Sequence, residues 1–114
     1  MRFFILLMCC VISLQQAFAQ SWPTRPIKIL VPYTAGGSSD YTARTLADRL
    51  GPLLGTQVVV ENRPGGNTVI ATEAAVKSPA DGYTLLLVGM TTYAALPYLT
   101  KKLPYDSIKD LTPI

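Results

Sequence analysis

The sequence predicts an α/β fold with a parallel sheet, in the order β-α-β-α-β, and three observations predict it. Short apolar runs at 27–31, 57–62 and 83–89 have the composition of buried strands. Two segments with helical signatures, one from Tyr41 and one from Val69, separate them. Each step takes roughly 25–30 residues, the spacing of βαβ units rather than hairpins.

The first strand holds Ile27, Ile29, Leu30 and Val31 between Pro26 and Pro32. Gly36-Gly37 then permits a tight turn, and Ser38 or Ser39 is placed to cap the helix that follows. In that helix Leu46, Leu50, Leu53 and Leu54 recur at helical spacing and form the expected apolar stripe, with Arg44, Asp48 and Arg49 on other faces. Gly51-Pro52 bends or ends the helix, with Leu53 and Leu54 giving a last turn before Gly55. The run at 57–62 is so apolar at its centre that a strand buried on both faces is expected.

Arg63-Pro64-Gly65-Gly66-Asn67 breaks that strand. A second helix runs from Val69 to Lys77 with Asn67 or Thr68 as cap, and stops at Ser78-Pro79, since the residue before proline avoids the helical region. Asp81-Gly82 turns the chain into the third strand. Another helical stretch from Thr91 to Tyr98 is interrupted near Pro97, and Asp106 or Ser107 caps one more turn.

Ahead of the first strand stands a different kind of segment. Met1-Arg2 is a short positive start, residues 3–14 are apolar, and Ala17-Phe18-Ala19 offers a cut after Ala19. This is the layout of a secretory signal peptide. The apolar run is short for a membrane anchor, and Leu-Leu-Met before Cys9 is a poor context for lipid attachment. After cleavage no stable membrane insertion is expected.

Cleavage also removes Cys9 and Cys10, and the chain has no histidine. Thiol nucleophiles, His-dependent acid–base chemistry and typical zinc sites are thereby excluded from this stretch, and neither a catalytic residue, a metal nor a cofactor is expected. Without Arg2, nine basic side chains face seven acidic ones. They are too balanced and scattered for nucleic-acid binding.

Right-handed crossovers place the C-terminal ends of parallel strands on one edge, where ligands bind in open α/β sheets. The candidate rim is therefore 33–40, 63–68 and 89–93. The glycine turn before the first helix presents backbone N–H groups and the positive end of a helix dipole, which suits an anion. The phosphate signatures G-x-G-x-x-G and G-x-x-x-x-G-K-[ST] are absent, so a nucleotide enzyme is the weaker alternative. Asp40, in the first helical turn, would repel an anion there, unless it accepts a hydrogen bond from a ligand hydroxyl or ammonium group.

The block from Trp22 to Asp40, with Ala43-Arg44, resembles the start of the substrate-binding proteins of tripartite tricarboxylate transporters, the Bug-type solute receptors. The likeness continues through Val60-Glu-Asn-Arg-Pro-Gly65, Thr72-Glu73-Ala74, Pro79-Ala-Asp-Gly-Tyr-Thr-Leu-Leu86, Leu103-Pro-Tyr-Asp106 and Lys109-Asp110-Leu111. It implies a periplasmic protein with two α/β lobes of the type II kind. Residues 20–114 would be part of the first lobe, with the second absent, so that the chain alone is expected to bind weakly or not at all.

The implied ligand is a small carboxylate: a di- or tricarboxylate, an acidic amino acid or an aromatic acid. The implied partners are membrane transporter subunits, or alternatively a membrane signalling protein. Carried over residue by residue, the resemblance points to Tyr33, Ala35, Gly36, Gly37, Ser38 and Asp40 after the first strand. After the third it points to Met90, Thr91, Thr92 and Tyr93. Thr34-Ala35 departs from the family's usual Ala-Pro, and Tyr93 stands where histidine is common.

Overall fold

The structure is a computed structural model that describes residues 21–114; the expected signal peptide and its cut after Ala19 lie outside the described residues. Strand β1 (Ile27–Val31) leads through a turn into α1 (Ser38–Leu54), and β2 (Val58–Asn62) follows. A single 3-10 turn, Gly66–Thr68, opens α2 (Val69–Val76), which returns the chain to β3 (Thr84–Leu86). A wide turn at Thr91–Ala95 runs into the short helix α3 (Leu96–Leu99). The β-α-β-α-β order expected from the sequence is the order observed.

The sheet order is β2-β1-β3, and both pairings are parallel. Ile27 to Val31 register with Val58 to Asn62 on one side, and Lys28 to Leu30 with Thr84 to Leu86 on the other. The chain moves one way from β1 to β2 and the opposite way from β2 to β3. Right-handed crossovers then put α1 and α2 on opposite faces of the sheet.

β1 is the buried centre: Ile27, Ile29, Leu30 and Val31 are all at most 2% exposed. Ile29 and Val31 pack against Ala43 and Ala47 of α1, with Val58, Val60 and Leu85 around them. The inward face of α1 is therefore small, made of Asp40, Ala43 and Ala47. This corrects the leucine stripe expected from spacing, since Leu46 is 42% and Leu53 81% exposed. Methyl-sized residues let the helix backbone lie close on the β1 pleat, and the leucines fall to its flank.

β2 is likewise less enclosed than expected. It forms one edge of the described sheet, and Val59 is exposed. α1 runs straight through Gly51-Pro52 and ends at Gly55, whose φ of 63° closes the helix with its N–H on the Gly51 carbonyl.

The lead-in before β1 is strapped to the turn before β3. Trp22 packs against Tyr83 at 5.9 Å between ring centroids, and the Arg25 guanidinium sits 4.2 Å from the same ring while pairing with Asp81 at 2.8 Å. Thr24 N–H donates to the Tyr83 hydroxyl at 2.8 Å. At the other end, Pro97 has no N–H to offer the Tyr93 carbonyl, and Ser107 Oγ donates to it at 3.0 Å. Asp106 Oδ1 caps the following turn, accepting from the N–H groups of Ile108 and Lys109.

Candidate functional site

The loop after β1 is shaped by one left-handed glycine. Gly36 has φ 85°, a conformation side chains resist, and no atom crowds the space where a Cβ would stand. Gly37 follows with φ −83° and ψ 175° and occupies the N-cap position of α1, with no side-chain cap bond. Ser38 and Ser39 were expected as caps; both lie inside the helix as its first two residues. The helix thus presents its first amides without a side-chain cap, at the positive end of seventeen aligned peptide units.

Asp40 does not point an unpaired charge at that opening. It is 4% exposed, and its Oδ2 accepts from Gly36 N–H at 2.9 Å and from Arg44 Nε at 3.0 Å. The Arg44 guanidinium first, and the Gly36 amide second, pull its carboxyl from the ordinary 3.8 down to about 2. Arg44 Nη2 also donates to Asn62 Oδ1 at 3.2 Å, and Asn62 Nδ2 donates to the Tyr33 carbonyl at 3.1 Å. The anion-repelling charge feared from sequence is turned inward and neutralised.

The other two rim loops are joined to each other. Asn67 and Thr68 both have positive φ, 51° and 75°; asparagine tolerates this region, whereas it is strained for the β-branched Thr68. The Thr68 hydroxyl lies 3.0 Å from that of Thr92 in a buried pair, and Thr72 Oγ1 donates to the Thr68 carbonyl. Thr68 stands at the cap position of α2 but makes no side-chain cap bond, its hydroxyl being engaged with Thr92 instead.

Two hollows border these loops. The smaller, about 230 Å³, lies among Tyr33, Ser38, Ser39, Thr42 and residues 87–89, where the loop after β1 meets the chain leaving β3. The larger, about 700 Å³, runs along the free side of β3 to residues 110–114 and is lined by Leu46, Val76, Leu85, Leu87 and other apolar groups. The smaller hollow is the candidate site, because the hydroxyl-bearing residues Tyr33, Ser38, Ser39 and Thr42 and the first turn of α1 border it. The larger one offers apolar surface rather than orienting groups.

Of the residues singled out from sequence, Tyr33 and Ser38 line this hollow together. Ala35, Gly36 and Gly37 form the exposed turn beside it. Asp40 lies beneath the turn, and Thr92 is 3% exposed, its hydroxyl engaged with Thr68. Met90 and Tyr93 face the larger cavity instead, while Thr91 is exposed. Ser39 and Gly89, both within the rim expected from sequence, also line the site, whereas Thr42, Leu87 and Val88 line it from outside that rim. The signal for Thr42 was positional: it stands with Ser39 in the first turn and a half of α1. Among the described residues no group of three His, Cys, Asp or Glu is arranged to hold a metal ion.

Comparison with known proteins gives the same direction. The profile of the tripartite tricarboxylate transporter family receptor matches residues 42–114. Protein BugT of Bordetella pertussis is 46% identical over 97 residues, covering 84% of this chain and 30% of its own. MatC from Rhodopseudomonas palustris, solved with bound malate, superposes with a TM-score of 0.77 at 32% identity, over 81% of this chain and 31% of that one. A second R. palustris protein, solved with adipate, gives a TM-score of 0.72 at 37% identity, over 76% of this chain and 29% of that one. The chain spans between 28% and 33% of the length of the curated relatives it matches.

Proposed function

The chain belongs to the tripartite tricarboxylate transporter family of receptors, and from that premise we propose that it supplies one wall of an extracytoplasmic site for a small carboxylate, delivered to a membrane transporter. The observation that carries this reading is the uncapped N-terminus of α1 opening on a hydroxyl-lined hollow of about 230 Å³. A carboxylate there would accept from the amides of Ser38 and Ser39, with the hydroxyls of Tyr33 and Ser38 in reach, while the Thr42 hydroxyl donates to the Ser38 carbonyl at 2.9 Å. The inward pairing of Asp40 removes the one charge that would oppose it.

Malate and adipate in the two superposed structures favour a dicarboxylate. Capture is non-covalent, with residues 87–89 on the far side of the hollow and hinge closure of a second lobe over the ligand. No helix among the described residues is long and apolar enough to cross a membrane. That agrees with a receptor working in the periplasm beside its membrane partners.

The test is an NMR titration of the isotope-labelled chain with malate and adipate, against a neutral diamide as control. Shifts are expected at the amides of Gly37, Ser38, Ser39 and Gly89 with the acids only. Ser38→Pro removes one of these N–H groups at a helix position where proline is well tolerated, and the extended Gly37 suits a residue before proline. It is expected to weaken binding by about tenfold, the scale of one charge-assisted hydrogen bond, with the fold kept. Shifts confined to other regions, or unchanged affinity in this variant, would overturn the reading.

A further inference from the structure

We propose that Asn62 and Arg44 are positioning residues for the ligand loop, holding its two ends so that the α1 amides meet the carboxylate in one fixed arrangement. The inference rests on the reading of that loop as a carboxylate wall, and it concerns side chains that do not line the hollow themselves. Asn62 Nδ2 holds the Tyr33 carbonyl, where the loop begins. Arg44 links Asn62 Oδ1 to Asp40 Oδ2, and that same oxygen receives Gly36 N–H, where the loop turns into the helix. Between the two clamps, Thr34 and Ala35 are exposed.

The clamps are mounted on rigid elements. Asn62 is the last residue of β2, registered with Val31, and the next residue's N–H donates to the Val31 carbonyl at 2.8 Å. Arg44 stands in the second turn of α1, four residues after Asp40. Asn62, eighteen residues beyond Arg44 and twenty-nine beyond Tyr33, therefore ties β2 to both ends of a single turn. A turn fixed before the ligand arrives has less conformational freedom to lose on binding, and preorganisation of this kind is read as affinity. Within the network Asp40 Oδ2 and both ends of the Asn62 amide are engaged, while Asp40 Oδ1 is buried without a partner.

The two hydrogen-bonding ends of Asn62 can be separated. Asn62→Asp keeps an acceptor for Arg44 but has no donor for the Tyr33 carbonyl, whereas Asn62→Ala loses both. The full chain and both variants would be compared by backbone order parameters at Gly36 and Gly37, by NMR titration with malate and adipate, and by thermal melting.

Order parameters near the rigid value of about 0.85 are expected in the parent, falling toward about 0.6 in both variants. Affinity for the acids is expected to drop roughly tenfold in both, the scale of a lost hydrogen bond. Asn62→Asp is expected to melt close to the parent. Tyr83→Phe, which alters a hydrogen bond far from this loop, serves as the stability control and should move neither loop order nor affinity.

Unchanged order parameters in both variants would overturn the proposal, as would an affinity loss that merely follows melting temperature and appears equally in the control. If the parent binds neither acid, the carboxylate reading fails by itself. The order parameters then still decide the positioning role: a fall supports it, and no change overturns it.

Discussion

At the scale of single residues, Asp40 controls how the site responds to acid. Its carboxyl is held at about 2 against an ordinary 3.8, by Arg44 first and then by the Gly36 amide. A depressed carboxyl adds stability that is complete above its unfolded value and lost as pH falls toward the folded one. The contribution of Asp40 is therefore present at neutral pH and fades between 3.8 and about 2. Glu61, lowered by Lys28 and Arg63, and Asp106, lowered by the amides of Lys109 and Ile108, titrate downward as well. Comparison with Asp40→Asn isolates the one group. Urea denaturation followed by Trp22 fluorescence should find the variant less stable at neutral pH and the gap closing as pH falls through this window. A gap constant with pH would show that the Asp40 charge is not what the loop uses.

At the scale of elements, α1 is where sequence and structure parted. Periodicity finds large apolar side chains, and Leu46, Leu50, Leu53 and Leu54 do recur at helical spacing. Yet the sheet receives Ala43, 0% exposed, and Ala47, because close approach to β1 selects for small size rather than hydrophobic bulk. The two faces predict opposite responses. Ala43→Leu should overpack the contact with Ile29 and Val31 and cost about 1–3 kcal/mol. Leu53→Ala, on a side chain 81% exposed, should change stability by less than about 0.5 kcal/mol. Urea midpoints of the two variants check both; a larger loss at Leu53 would restore the leucine stripe.

The strands and turns were more legible, since Pro26, Pro32, Gly36, Pro79 and Gly82 punctuate the chain where elements change. The Arg44–Asn62–Tyr33 network was not legible. Its partners are eighteen and twenty-nine residues apart, and hydrogen bonds across folded loops leave no period in a sequence.

At the scale of the whole molecule, the parallel pairing explains why three loops far apart in the chain share one rim. That much followed from the βαβ spacing, whereas the joining of Thr68 to Thr92 and of Trp22 to Tyr83 required the folded chain. The same arrangement sets how tightly the described residues can hold a ligand. The candidate hollow is bounded by the loop after β1, the first turns of α1 and the chain leaving β3, all belonging to one side. Small-molecule sites ordinarily bury about 70–90% of the ligand surface, and a hollow walled on one side leaves much of a dicarboxylate in water. There the helix amides compete with solvent for the carboxylate, and salt screens the dipole. Binding of malate or adipate to this chain is accordingly expected at a Kd of about 1 mM or weaker, near −4.1 kcal/mol. In the NMR titration this would appear as fast exchange, with shifts that weaken further as salt is raised. Slow exchange with micromolar affinity would mean that the described residues enclose the ligand unaided, and the proposed second wall would have no part in capture.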